Sequence, residues 1–163
     1  MKEAADELSL LVRETIPRLE AITATESRKP GTGTWSRKEV LGNLIDSALN
    51  NHQRFVRAAL AGELTFPEYD GDAWVAAQAY RDRPWLALIN LWAHLNGHLA
   101  HVVARIPRER LGAPCRIGAG EAVSLEFIVR DYLKHLRHHL AQIVVEQGGA
   151  VSRPPETPSR SPK

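Results

Sequence analysis

The residues best equipped for chemistry are histidines, and six of the seven fall in two tight groups: His94, His98 and His101, then His135, His138 and His139. Imidazole changes charge near neutral pH and binds divalent metals through a neutral ring nitrogen, so such groups point to proton transfer or metal coordination. At about 100° per residue, a helix would project His135, His138, His139 and Gln142 within one arc of about 100°, and His94, His98 and His101 within about 60°. Both sets run along the edge of an apolar stripe. Histidines four apart on one helix can share a metal ion whose other ligands come from a second helix, but edge histidines also simply hydrogen-bond to neighbours and solvent. The seventh, His52, sits on the apolar side of an earlier helix.

Other reactive types are sparse. Cys115 lies in a Pro-Cys-Arg segment beside Arg116, with no base evident in the sequence, and reads as an ordinary loop cysteine. Asp46, Ser47, Asn50 and Arg54 share the Asn43 side of one helix, opposite Leu41, Ile45 and Phe55, as either a polar pocket or a solvated face. Trp35, Trp74, Trp85 and Trp92 read as packing anchors.

Helical periodicity positions these residues on four long segments, with no convincing strand pattern. The first runs from about Lys2 to Thr25, with Leu8, Leu11, Leu19 and Ile22 inward and a kink at Pro17. After the turn-rich Gly31-Thr32-Gly33-Thr34, Ser36 and Glu39 form a capping box that opens the second, which stops at Gly62. Its stripe is Leu41, Leu44, Ile45, Ala48, Phe55 and Ala59. A loop over Phe66 to Gly71 leads to a short helix near Ala73 to Tyr80 carrying Trp74. The third long helix runs from Pro84 to about Ile106, with Leu88, Leu91, Trp92, Leu95, Leu99 and Val102 facing the core. Residues 108–123 read as a long connection before Ser124 caps a fourth helix ending at Gly148-Gly149. The expected fold is therefore an all-α four-helix bundle over residues 1–149, with a short extra helix between helices two and three. Pro154, Pro155, Pro158 and Pro162 among Ser, Thr and charges make residues 150–163 a disordered tail.

With 163 residues and 44% hydrophobic content, the chain can bury one core without metal or disulfide support. One cysteine allows no internal disulfide and points to a cytoplasmic location. The N-terminus has no cleavable apolar core, and no segment approaches the ~20 apolar residues of a membrane span, so no membrane partner is expected. The net charge of +2 is carried by Arg153, Arg160 and Lys163 against Glu156, which leaves the globular part neutral. A neutral domain without Lys/Arg clusters among its aromatics gives no support for nucleic-acid binding.

Three strings together resemble the DinB-like superfamily: Trp35 to Ala48 continuing through Asn51-His52-Gln53-Arg54-Phe55, Tyr69 with Asp72 and Trp74, and Asp131 to Ile143. The resemblance spans roughly residues 8–147. It implies a four-helix bundle, often a homodimer, in a family of metal-dependent hydrolases and thiol-dependent transferases acting on small molecules. It also implies a metal triad of one histidine from helix two and a His-x-x-x-His pair from the last helix. Carried over, these positions are Asn43, His138 and Gln142; shifting the register by three makes His135 and His139 the pair. Carboxamide oxygens are weak ligands beside imidazole, so an Asn/His/Gln set should hold zinc or nickel poorly. Two expectations follow: a metal-dependent enzyme with a degenerate triad, or a bundle that holds a small molecule without a metal.

Overall fold

The structure, a computed structural model, describes residues 1–144. Four long helices form the bundle: α1 (Lys2–Glu20), α2 (Arg37–Ala61), α4 (Trp85–Ala104) and α5 (Leu125–Ile143), with the short α3 (Gly71–Gln78) between α2 and α4. The all-α bundle expected from periodicity is the observed fold. In cross-section α1 packs on α4 and α5, and α2 packs on the same two, so consecutive long helices α1 and α2 lie across the diagonal. The long connections permit this order.

Helix ends follow local chemistry. Ser36 accepts from the Glu39 amide while the Glu39 carboxylate takes the Ser36 backbone N–H at 2.8 Å, completing the capping box that starts α2. Gly62 closes α2 in the left-handed region at φ 82°, where a side chain would be strained. Helix α1 stops at Glu20 rather than Thr25, because Thr23 and Glu26 cap a separate 3₁₀ turn: each side chain accepts from the other's backbone N–H. The core is Leu8, Leu19, Leu41, Leu44, Ile45, Phe55, Leu88, Trp92, Leu99, Leu125 and Leu136, each essentially inaccessible. Leu91, expected inside, is 43% exposed. The tail expected over 150–163 and the Gly148-Gly149 pair lie outside the described residues.

A small sheet corrects the strand-free expectation. Strand β1 (Leu64–Phe66) pairs in parallel with β2 (Pro114–Ile117), and β2 pairs antiparallel with β3 (Val123–Ser124). Cys115 therefore sits in β2, fully buried, and not in a loop. The sheet ties the two long connections together at one end of α2 and α5.

Candidate functional site

Helices α2 and α5 are antiparallel. Arg37 Nε donates to the Ile143 carbonyl at 3.0 Å at one end, and Phe55 meets Tyr132 edge to face, centroids 6.0 Å apart, toward the other. At the Phe55–Tyr132 end a cavity of about 260 Å³ opens. Helix α2 contributes Ser47, Asn51 and Arg54 to it at spacings of four and three, one face of a helix. Tyr69 closes it from the loop, Ile117 and Val123 from the sheet, and Phe127, Ile128, Asp131, Tyr132 and His135 from α5. A second hollow of about 250 Å³ lies nearer the start of α2, between the Thr32–Trp35 turn, Val40, Asp72, His139 and Gln142.

Two nitrogens of the main cavity are buried without any hydrogen-bond partner, Arg54 Nε and His135 Nε2. The Arg54 guanidinium stands over the Phe66 ring at 5.4 Å, so an aromatic face holds it while its donors stay free. Burial pulls the Arg54 pKa down, with Tyr69 and Glu68 acting the other way, but a guanidinium stays cationic. Burial, helped by the neighbouring His139, brings His135 down to about 4, so its ring is neutral at neutral pH. Tyr69 stacks on Trp74 with centroids 4.9 Å apart, and burial raises its phenol above the usual range.

A buried network behind the cavity fixes α2 against the loop. Asp46 is fully buried; its Oδ1 accepts from Tyr80 Oη at 2.7 Å and Gln78 Nε2 at 2.6 Å, while Oδ2 has no partner. Burial raises the Asp46 pKa against these two donors. Gly42 permits the arrangement, since a Cβ there would stand 2.1 Å from the Tyr80 ring. Ala79, at φ 47°, turns the chain so that Tyr80 reaches this spot.

The candidate residues from the sequence separate in space. Asn43 is 6% exposed, its Oδ1 against Gly71 at the start of α3, and no hydrogen bond among the described residues joins it to a histidine. His138 is exposed and meets Gln142 Nε2 through its own Nε2 at 3.3 Å. Gln142 Oε1 lies 2.9 Å from His139 Nδ1, and the half-buried His135 and His139 rings have centroids 4.4 Å apart. Both pairs four apart are thus in contact, but the inward nitrogen belongs to His135, of the alternative register. Ser47 and Arg54 line the cavity, whereas Asp46 and Asn50 do not: Asn50 Nδ2 donates to the Asp46 carbonyl at 2.9 Å within the helix. The face carrying Asn43, Asp46, Ser47 and Asn50 is buried, not solvated. Asn51, Tyr69, Asp131 and Tyr132 were not singled out as pocket residues. Asn51 was findable, being four residues from Ser47 and three from Arg54.

The remaining histidines are surface residues. His94 Nδ1 is 2.6 Å from the Asn90 carbonyl, His101 pairs with Arg105 at 3.0 Å, and the His52 and His98 rings are 5.3 Å apart. Cys115 is fully enclosed, and burial pushes its thiol up, away from nucleophilic use.

The donor set does not suit a tightly held catalytic metal. Among the described residues no three of His, Cys, Asp and Glu converge, and Asn43, the α2 position expected to complete a triad, is a carboxamide. Two adjacent imidazoles are an incomplete set.

Comparison with known proteins places this geometry. The chain is 26% identical over 113 residues to the protein of Oceanobacillus iheyensis named "Putative metal-dependent hydrolase OB0413", a match covering 69% of this chain and 65% of that protein. It superposes with a TM-score of 0.75 on YfiT from Bacillus subtilis, described as a probable metal-dependent hydrolase with an unusual four-helix bundle topology; identity is 22%, over 88% of this chain and 85% of that one. It superposes at 0.71 and 14% identity on the mycothiol-dependent maleylpyruvate isomerase, over 86% of this chain but only 59% of that one. At these identities the structures attest the fold. The sequence pattern of the DinB superfamily matches residues 2–143, and the chain belongs to that superfamily.

Proposed function

We propose that this chain binds a small polar molecule in the cavity between α2 and α5 and acts on it through its own side chains, without a tightly held metal ion. The observation that carries the reading is the pair of buried, partnerless nitrogens, Arg54 Nε and His135 Nε2, on two residues that line one cavity. Buried polar groups are almost always satisfied, so two orphans in one hollow mark where a ligand completes the hydrogen bonding. Arg54 supplies charge, neutral His135 an acceptor or donor, and Ser47 and Asn51 further polar contacts, against an apolar wall of Ile117, Val123 and Phe127.

Metal-dependent hydrolysis, as named for the Oceanobacillus and Bacillus relatives, is the second reading, and the adjacent His135 and His139 rings favour it. Thiol-dependent transfer rests on the fold shared with the mycothiol-dependent isomerase. Cytoplasmic location and a homodimer are proposed from the resemblance and the single cysteine. No helix among the described residues is long and apolar enough to cross a membrane.

The test is a thermal-shift screen of chelator-treated protein against small carboxylic, phosphorylated and neutral compounds. Stabilisation that survives chelation and disappears in Val123→Trp, which fills the cavity, supports the reading. Stabilisation that appears only when Zn²⁺ or Ni²⁺ is restored favours the hydrolase reading.

A further inference from the structure

Resting on the cavity reading above, we propose that the ligand carries a carboxylate, gripped by the Arg54 guanidinium, on an apolar body that lies against the sheet side of the cavity. Arg54 makes no hydrogen bond and no ion pair among the described residues, although its Nε is enclosed. A half-enclosed cation with no ion-pair partner is costly, and an arriving anion would offset that cost. Glu68, whose charge favours the Arg54 cation, forms no ion pair with it: its carboxylate lies against Gly118, its Oε2 3.0 Å from where a Cβ would stand. The Phe66 ring lies under the guanidinium, 5.4 Å from its centroid to Cζ, a contact that uses none of the N–H donors.

The remaining wall narrows the chemistry. Among the described residues Arg54 is the one permanent cation lining the cavity, and Asp131 lines the same cavity. One cation and one acid in the same wall suit a monoanion better than a phosphate dianion. Ile117, Val123, Phe127 and Ile128 take the uncharged end. At about 260 Å³ the cavity is at the small end of ligand pockets, which run from roughly 300 Å³ upward, so the carboxylic acid is a compact one.

Benzoate, benzamide and phenyl phosphate probe the site, with Trp74 fluorescence as the readout because Trp74 stacks on Tyr69 at the cavity wall. The full chain and its Arg54→Met, Arg54→Lys and Val123→Trp variants are titrated with each. Benzoate should bind the native chain at least tenfold more tightly than benzamide, Arg54→Met should erase that difference, and Arg54→Lys should restore part of it. Phenyl phosphate should bind more weakly than benzoate. The ligand-free Arg54→Met protein should melt no lower than native, because the charge it loses is unpaired. Equal binding of benzoate and benzamide, with Val123→Trp weakening both, overturns the carboxylate assignment while the cavity reading stands. Tighter binding of phenyl phosphate than of benzoate also overturns it. If none of the three binds the native chain saturably, the cavity reading fails and the inference with it. A melting point several degrees lower in Arg54→Met shows that Arg54 is there for structure and refutes the inference.

Discussion

Replacing Tyr80 by Phe removes one oxygen and nothing else, which isolates the bond that holds Asp46. The Phe ring still fits over Gly42, so packing is retained. Tyr80 Oη donates to Asp46 Oδ1 at 2.7 Å, a charge-assisted bond to a carboxylate that is fully buried and has only Gln78 as its other side-chain donor. Hydrogen bonds to charged groups contribute about 1.5–3 kcal/mol, so at neutral pH the variant should lose about that much stability. With a urea slope of about 2 kcal/mol/M, the midpoint should fall by roughly 1 M. The pH dependence follows from the direction of the Asp46 shift. Its folded-state pKa is raised above the unfolded value, so the folded chain binds the proton more tightly, and ionisation withdraws stability as pH rises through the carboxylate range. Loss of the Tyr80 donor raises that pKa further. The penalty of the variant is therefore small below the unfolded carboxylate pKa and complete above the folded one. Urea melts followed by far-UV circular dichroism at acidic and neutral pH measure both quantities. A loss below about 0.5 kcal/mol, or one that does not change with pH, would refute the placement of an ionised Asp46 against Tyr80.

Three further outcomes follow from the same geometry. Ser36→Ala removes the hydroxyl that accepts from the Glu39 amide, leaves the backbone arm of the capping box in place, and should cost about 1 kcal/mol by urea midpoint. His135, held near 4, should show no NMR titration between neutral pH and about pH 5; because its folded pKa is depressed, it withdraws stability as pH falls from about 6.5 toward its folded value, and His135→Gln should flatten that slope. Cys115, enclosed in β2, should resist a thiol reagent in the native protein and react fully in denaturant, where brisk native labelling would show that the sheet opens.

The bundle was legible because long amphipathic helices advertise themselves and their ends. Ser36 with Glu39, Gly62, and Ser124 marked boundaries that the structure keeps. The early end of α1 had a signal too, in Thr23 three residues before Glu26, but an apolar pattern continuing through Ile22 masked it. The sheet was not legible: strands of three, four and two residues carry too few alternations to distinguish from loop, and each is stabilised by a partner about 50 residues away or across a turn. For the site, the histidine pairs and the Ser47/Arg54 face could be read from helical spacing. What could not be read was that the chain between residues 66 and 82 folds back over α2, burying Asp46 under Tyr80 and Gln78 and converting a polar helix face into an interior wall. Tertiary covering of this kind has no local signature, and it decides which carboxylate is structural and which polar groups line the cavity.

The central claim, that the cavity works without a tightly held metal, is tested most directly by titrating Zn²⁺ into the metal-stripped full chain against a competing chelator of known affinity. Two neighbouring imidazoles and a carboxamide predict binding weaker than about 1 μM, less than about 8 kcal/mol. Stoichiometric binding in the nanomolar range, abolished by His135→Ala or His139→Ala, would contradict the account and restore a metal to the site.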